Sequence, residues 1–122
     1  MIRHHLELGV EPRRDAVRLT ISSDDETVFS ARLEAPELDE LIHALAHGRA
    51  RLRDEVPVAL DEGARLTDVE ADPSYLVGKN NAAGEALLAL RHPGFGWLGF
   101  RLRRPVIEAI VDRLGRWLGE SV

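Results

Sequence analysis

Residues 5–33 carry apolar and polar side chains in short alternating runs, and residues 36–45 then shift to a helical period. Leu6 and Leu8 alternate with His5 and Glu7, a period of two that predicts a short half-buried strand. Gly9 to Arg14, with Pro12, reads as a turn. Val17, Leu19 and Ile21 then alternate with Arg18, Thr20 and Ser22, a second strand rich in β-branched residues. Asp24-Asp25-Glu26 is a polar hairpin turn, and Val28 to Leu33 returns as a third strand.

Pro36 ends that strand and suits the first helical position, where its missing N–H removes no intrahelical bond. Glu37, Asp39 and Glu40 put negative charge in the first turn, favourable at the positive end of the helix dipole. Leu38, Leu41, Ile42 and Leu45 fall on one face. The helix ends at Gly48 or runs on through Leu52. Val56-Pro57-Val58-Ala59-Leu60 reads as an edge strand, because proline cannot donate to a ladder. Glu62-Gly63 is a turn, Leu66 to Glu70 is a strand or an irregular connection, and Asp72-Pro73 starts another turn.

The pattern then repeats. Shifting residues 5–46 forward by 69 places them on 74–115 without a gap. Leu6 lands on Tyr75, Leu8 on Val77, Gly9 on Gly78, Leu19 on Leu88 and Ile21 on Leu90. Arg32-Leu33 meets Arg101-Leu102, Pro36 meets Pro105, and the helical stripe meets Ile107, Ile110, Val111 and Leu114. Only six positions are identical. It is the register of apolar positions, kept through two turns, that points to an internal duplication. The fold class is therefore α+β, two βββα units in tandem over about 5–46 and 74–115. A connecting segment, 47–73, joins them within a single domain, 1–122. One three-stranded sheet with one helix cannot cover both of its faces at this size. Joining the strands into one continuous antiparallel sheet with both helices on the same face would solve this, and that is the expected arrangement. In architecture it resembles the single-strand-binding coactivator and whirly-type folds, although no residue motif carries a family assignment.

Composition narrows the function by exclusion. The 122 residues are 44% hydrophobic and 30% charged, ordinary for a globular chain. There is no cysteine, which removes disulfides, thiolate metal sites and thiol catalysis and fits the cytoplasm. No apolar run is long enough to cross a bilayer, and no secretory signal is expected at the start. The net charge of −5 weighs against general nucleic-acid binding. That charge is uneven: Asp54 to Asp72 is acidic, while Ala86 to Gly119 is rich in arginine.

The densest group of unusual residue types is Arg91-His92-Pro93-Gly94-Phe95-Gly96-Trp97. An exposed Phe95 or Trp97 beside Arg91 and His92 could stack a base or anchor a peptide. The plainer alternative is a hairpin turn whose Pro-Gly sets the backbone while the aromatics fill the core. Arg101 and Arg103 share one strand face, with Arg104 at the strand end, and together with Arg91 and Lys79 could follow a phosphate backbone. Pairing with the acidic middle segment is the favoured reading of these arginines. His43 and His47 have a metal-binding spacing but lie off the apolar stripe, and His4-His5 point to opposite faces. Lys79 to Gly84 reads as a hairpin loop whose glycine spacing cradles no phosphate, and Ser22, Ser23 and Ser30 lack a nucleophile elbow.

No catalytic constellation, metal site or cofactor site emerges. The expectation is a small non-enzymatic protein-interaction or regulatory module. Its candidate surface is Arg91, His92, Phe95, Trp97, Arg101 and Arg103. Its partner is another protein or a second copy, with sheet edges at Leu6 or Pro57 available for self-association. Single-stranded nucleic-acid binding through the basic, aromatic second half is the alternative. No membrane partner is expected.

Overall fold

A computed structural model describes residues 3–61, 63, 65–66, 69–79 and 84–120. The chain divides into two units, residues 1–62 and 63–122. In the first, β1 (His4–Val10), β2 (Ala16–Ser23) and β3 (Glu26–Glu34) lead directly into α1 (Ala35–Arg51). In the second, β4 (Tyr75–Lys79), β5 (Glu85–His92) and β6 (Gly96–Arg103) lead into α2 (Arg104–Glu120). The class is α+β, with the βββα order occurring twice and every strand pair antiparallel.

One expectation is corrected at the level of the sheet. The described strands form two sheets of three, ordered β1-β2-β3 and β4-β5-β6, and not one continuous sheet. Periodicity shows that a strand has an apolar face; it does not say which edge a neighbour will hydrogen-bond. Two further expectations change. Gly9 lies inside β1, because its N–H and C=O can join the ladder opposite Arg18, and the turn starts after Val10. Val56 to Leu60 is irregular, as a proline-bearing run without a paired neighbour has no ladder to join. Between 66 and 70, Thr67 and Asp68 lie outside the described residues, and Leu66, Val69 and Glu70 are irregular. Glu62 of the expected Glu62-Gly63 turn, and residues 80–83 of the expected loop after Lys79, also lie outside the described residues.

The registers of the two sheets coincide under the same shift of 69. Leu8 faces Leu19 and Leu19 faces Ala31 in the first; Val77 faces Leu88 and Leu88 faces Phe100 in the second. Val17–Leu33 corresponds to Ala86–Leu102, and Ile21–Phe29 to Leu90–Leu98. The match breaks only at the second hairpin. In the first unit Asp24 and Asp25, at φ 48° and 68°, form a two-residue turn of the kind that needs two left-handed residues. The residue this leaves over is absorbed as a bulge beside Ile21 and Ser22. In the second unit Pro93, Gly94 and Phe95 form a three-residue loop, Gly96 takes the left-handed φ of 78°, and no bulge is needed.

Residues directly opposite in a ladder share a face, so the pairings sort each sheet into two faces. Leu6, Leu8, Val10, Val17, Leu19, Ile21, Phe29, Ala31 and Leu33 make one uninterrupted apolar face of the first sheet. Its other face carries Glu7, Arg18, Thr20, Ser30, Arg32 and Glu34. The helix α1 leans on the apolar face through Leu38, Leu41 and Ile42, which are half-buried, while Leu45 is exposed. Leu19, Phe29 and Leu33 on the sheet and Leu41 and Ala44 on the helix line one cleft of about 410 Å³. Burial among the described residues is confined to the central strands, at Ala16, Leu19 and Ala89.

Local electrostatics fix the ends of these elements. The Glu37 carboxylate accepts the Glu34 N–H at 3.3 Å, giving the first turn of α1 a partner for a donor that the helix itself leaves open. The helix runs past Gly48 to Arg51, and Arg49 and Arg51 meet the negative end of its dipole. In α2, Arg104 pairs with Glu108 at 3.0 Å and Arg116 with Asp112 at 3.1 Å, both one turn apart. Among the described residues no helix is long and apolar enough to cross a membrane.

Candidate binding surface

The candidate residues all sit on the β5–β6 hairpin and its turn. Arg91 is directly opposite Trp97, Leu87 opposite Arg101 and Glu85 opposite Arg103. Arg91, Trp97, Arg101 and Arg103 therefore share one face of the second sheet. The opposite face carries Tyr75, Val77, Leu88, Leu90, Leu98, Phe100 and Leu102, with Lys79 in its end row, so Lys79, against expectation, does not share the arginines' face. His92 and Phe95 are set apart from the four, at the turn.

Trp97 is 56% exposed and Phe95 53% exposed. Of the two alternatives, the one in which these rings fill the core does not hold. Trp97 lies on the arginine-bearing face of an edge strand, opposite an arginine, and Phe95 is the last residue of a loop outside the ladder. Phe95 instead packs on His92, with ring centroids 4.8 Å apart and planes at 50°.

His92 organises that loop. Its Nδ1 accepts the Gly94 N–H at 2.9 Å and the Phe95 N–H at 3.0 Å, so one imidazole nitrogen satisfies two turn donors. In the neutral ring the proton consequently sits on Nε2, which faces Glu70 Oε1 at 4.0 Å. A side chain at position 94 would meet the His92 ring at 3.4 Å, a tight approach, and position 96 needs the left-handed backbone that glycine adopts at no steric cost.

Two of the arginines, Arg101 and Arg104, pair locally. Arg101 Nε lies 3.8 Å from Glu85 Oε2 on its own face, and Arg104 pairs within α2. The favoured reading, pairing with the acidic segment 54–72, is not what these ion pairs show. Ladder neighbours are brought within reach by the backbone itself, whereas a distant segment must be positioned first. Glu70, from the acidic segment, faces His92 instead.

The first sheet has an arginine cluster on its polar face that sequence reasoning did not single out. Arg32 bonds Glu11 at 3.0 Å, Glu34 at 3.0 Å and Asp15 at 3.5 Å. The hydrogen bond to Glu11, then that to Glu34, raises the guanidinium pKa above its ordinary value. Glu11 and Asp15 come from the β1–β2 turn, so Arg32 ties β3 to that turn, while Glu34 is on its own strand. Only the observed register brings residues 11, 15 and 32 together.

His4, His5, His43 and His47 are exposed, and among the described residues no group of three or more His, Asp or Glu side chains could hold a metal ion. An open polar hollow of about 630 Å³ lies beside His4, His5, Asp24 and Asp25. What the hairpin face can do chemically is bind. It offers an indole for stacking and guanidinium groups for anionic oxygens. Comparison with protein-family models, with curated proteins and with solved structures gives no match.

Proposed function

We propose that this chain is a non-enzymatic interaction module that engages protein through the apolar faces of its two sheets. The observation that carries this reading is the apolar face of the first sheet. Nine aliphatic and aromatic positions run across all three strands, yet Leu6, Leu8, Val10 and Phe29 are each at least half exposed. A contiguous patch of this kind marks an association surface, because leaving it in water forfeits the burial that drives folding. The cysteine-free composition supports a reducing, cytoplasmic setting. The agreement of the two registers supports an origin by duplication.

Site-specific crosslinking tests the reading, with a photoreactive residue at Val10 in the first sheet or Val77 in the second. A protein adduct is expected from both positions, and its weakening when Leu8→Asp is added to the Val10 probe. Probes that label no protein would remove it.

A second reading rests on a different face. Arg91, Trp97, Arg101 and Arg103 lie together on β5–β6, the combination of cation and ring that single-stranded nucleic acid needs for phosphate contact and base stacking. Anisotropy of a labelled single-stranded oligonucleotide tests it, with salt-dependent binding expected and no binding at low salt as the adverse result.

A further inference from the structure

We infer that the partner covering these apolar faces is a second copy of the same chain, joined in an obligate dimer. The inference rests on the association reading above and names its occupant. Its basis is an area comparison. The chain exposes 11423 Å². A compact protein of this mass exposes about 6,600 Å², and two separately compact units of half the mass about 7,900 Å² together. The second comparison holds however the units are arranged, and it leaves an excess of roughly 3,500 Å².

Part of that excess belongs to the irregular segment between α1 and β4, where Val56, Val58 and Leu60 stand exposed. Further exposed apolar positions lie on regular elements. Leu6, Leu8 and Val10 are exposed on β1, and Tyr75 and Val77 on β4. On α2, Ile107 is half-buried, while Val106, Ile110, Val111, Leu114 and Leu118 are exposed. Obligate homodimers bury about 2,000–5,000 Å² or more counted over both chains, so hiding roughly half of this excess on each copy, about 3,500 Å² in all, reaches that range and exceeds what a transient complex needs.

Two features select a second copy over a foreign protein. The exposed positions are the ones a core would be made from, since only Ala16, Leu19 and Ala89 are buried among the described residues. The cover must therefore be present whenever the chain is folded, in equal amount, a condition that another copy meets by itself. The charge distribution allows it too. Each chain carries a net charge of −5, so two copies repel in general. On the apolar face of the first sheet, however, ionisable residues occur only in the end row, His4 and Glu26, the other charges of the strands lying on the opposite face.

Sedimentation equilibrium and thermal unfolding of the purified full-length chain decide the matter. A dimer mass is expected, with a Tm that rises with protein concentration. Leu8→Asp, which places a charge in the apolar face, should abolish the dimer, and Ser30→Asp on the polar face should keep it. Should Leu8→Asp fail to fold, the concentration dependence of the unsubstituted chain still decides. A folded monomer with a concentration-independent Tm that binds an apolar dye would overturn the second copy while leaving the association reading intact. The same monomer silent to the dye would overturn both. A chain with no cooperative unfolding at any concentration would overturn the second copy as sufficient cover.

Discussion

Arg91 stands directly across the β5–β6 ladder from Trp97, on the face that also carries Arg101 and Arg103. The pairing sets a cation beside an exposed indole at a distance fixed by the backbone, and it is repeated by no residue pair in the first sheet. There the position matching Trp97 is Val28, which the bulge beside Ile21 and Ser22 leaves without a partner. The two units thus share a register and part company at this hairpin.

If single-stranded nucleic acid binds this face, Trp97→Ala should weaken it by about 1–3 kcal/mol, the range for one base stacked on an aromatic ring. Arg101→Ala and Arg103→Ala should each reduce the slope of affinity against salt as well as the affinity. Anisotropy titrations at several salt concentrations measure both.

His92→Ala should loosen the hairpin turn, because the Gly94 and Phe95 N–H groups lose their common acceptor. The expected cost is about 1 kcal/mol, with faster amide exchange at positions 94 and 95. His92→Asn should restore much of the protection, since its side-chain oxygen can accept from the same turn donors. In the parent chain, nitrogen chemical shifts should show the proton of neutral His92 on Nε2.

Backbone conformation predicts opposite outcomes at neighbouring turns. Gly96→Ala puts a side chain at φ 78° and should destabilise by about 1 kcal/mol. Asp25→Gly relieves a non-glycine residue at φ 68° and should stabilise by a few tenths of a kcal/mol, or up to about 1. Gly99→Ala is expected to be mild, as the new methyl meets only Leu87 Cδ1 at 3.7 Å. Urea unfolding midpoints rank the three.

Arg32→Leu leaves Glu11, Asp15 and Glu34 facing one another without their shared cation. Stability should fall, and the loss should be larger at low ionic strength, where repulsion among the carboxylates is least screened. Denaturant midpoints with and without added salt show the difference. The raised pKa keeps Arg32 charged throughout the neutral range, and its stabilising effect is lost only as pH climbs through that raised value in strongly alkaline solution.

The candidate surface was only partly legible before the fold was known. Strand periodicity placed Arg101 and Arg103 on one face and marked residues 91–97 as a turn. It could not separate exposed aromatics from core aromatics, because Phe95 and Trp97 are as apolar in a loop or on an edge as in an interior. The role of His92 was hidden for a similar reason: a histidine accepting two backbone N–H groups has no composition signal, only a geometry. The Arg32 cluster draws on residues 21 positions apart, and no local pattern announces it.

What the amino-acid order settled alone was everything governed by short-range geometry. The alternation of Leu6, Leu8, Val17, Leu19 and Ile21 set strands and their inward faces. The Asp24-Asp25 pair set a turn, Pro36 and Pro105 set helix starts, and the shift of 69 set two matching registers. Tertiary structure decided which strands bond to which, splitting the ladder into two sheets of three, and how much of each apolar face meets water. Those outcomes depend on contacts between residues far apart in the chain. Their free energy comes from pairing and burial that a period of two, or of 3.6, does not encode.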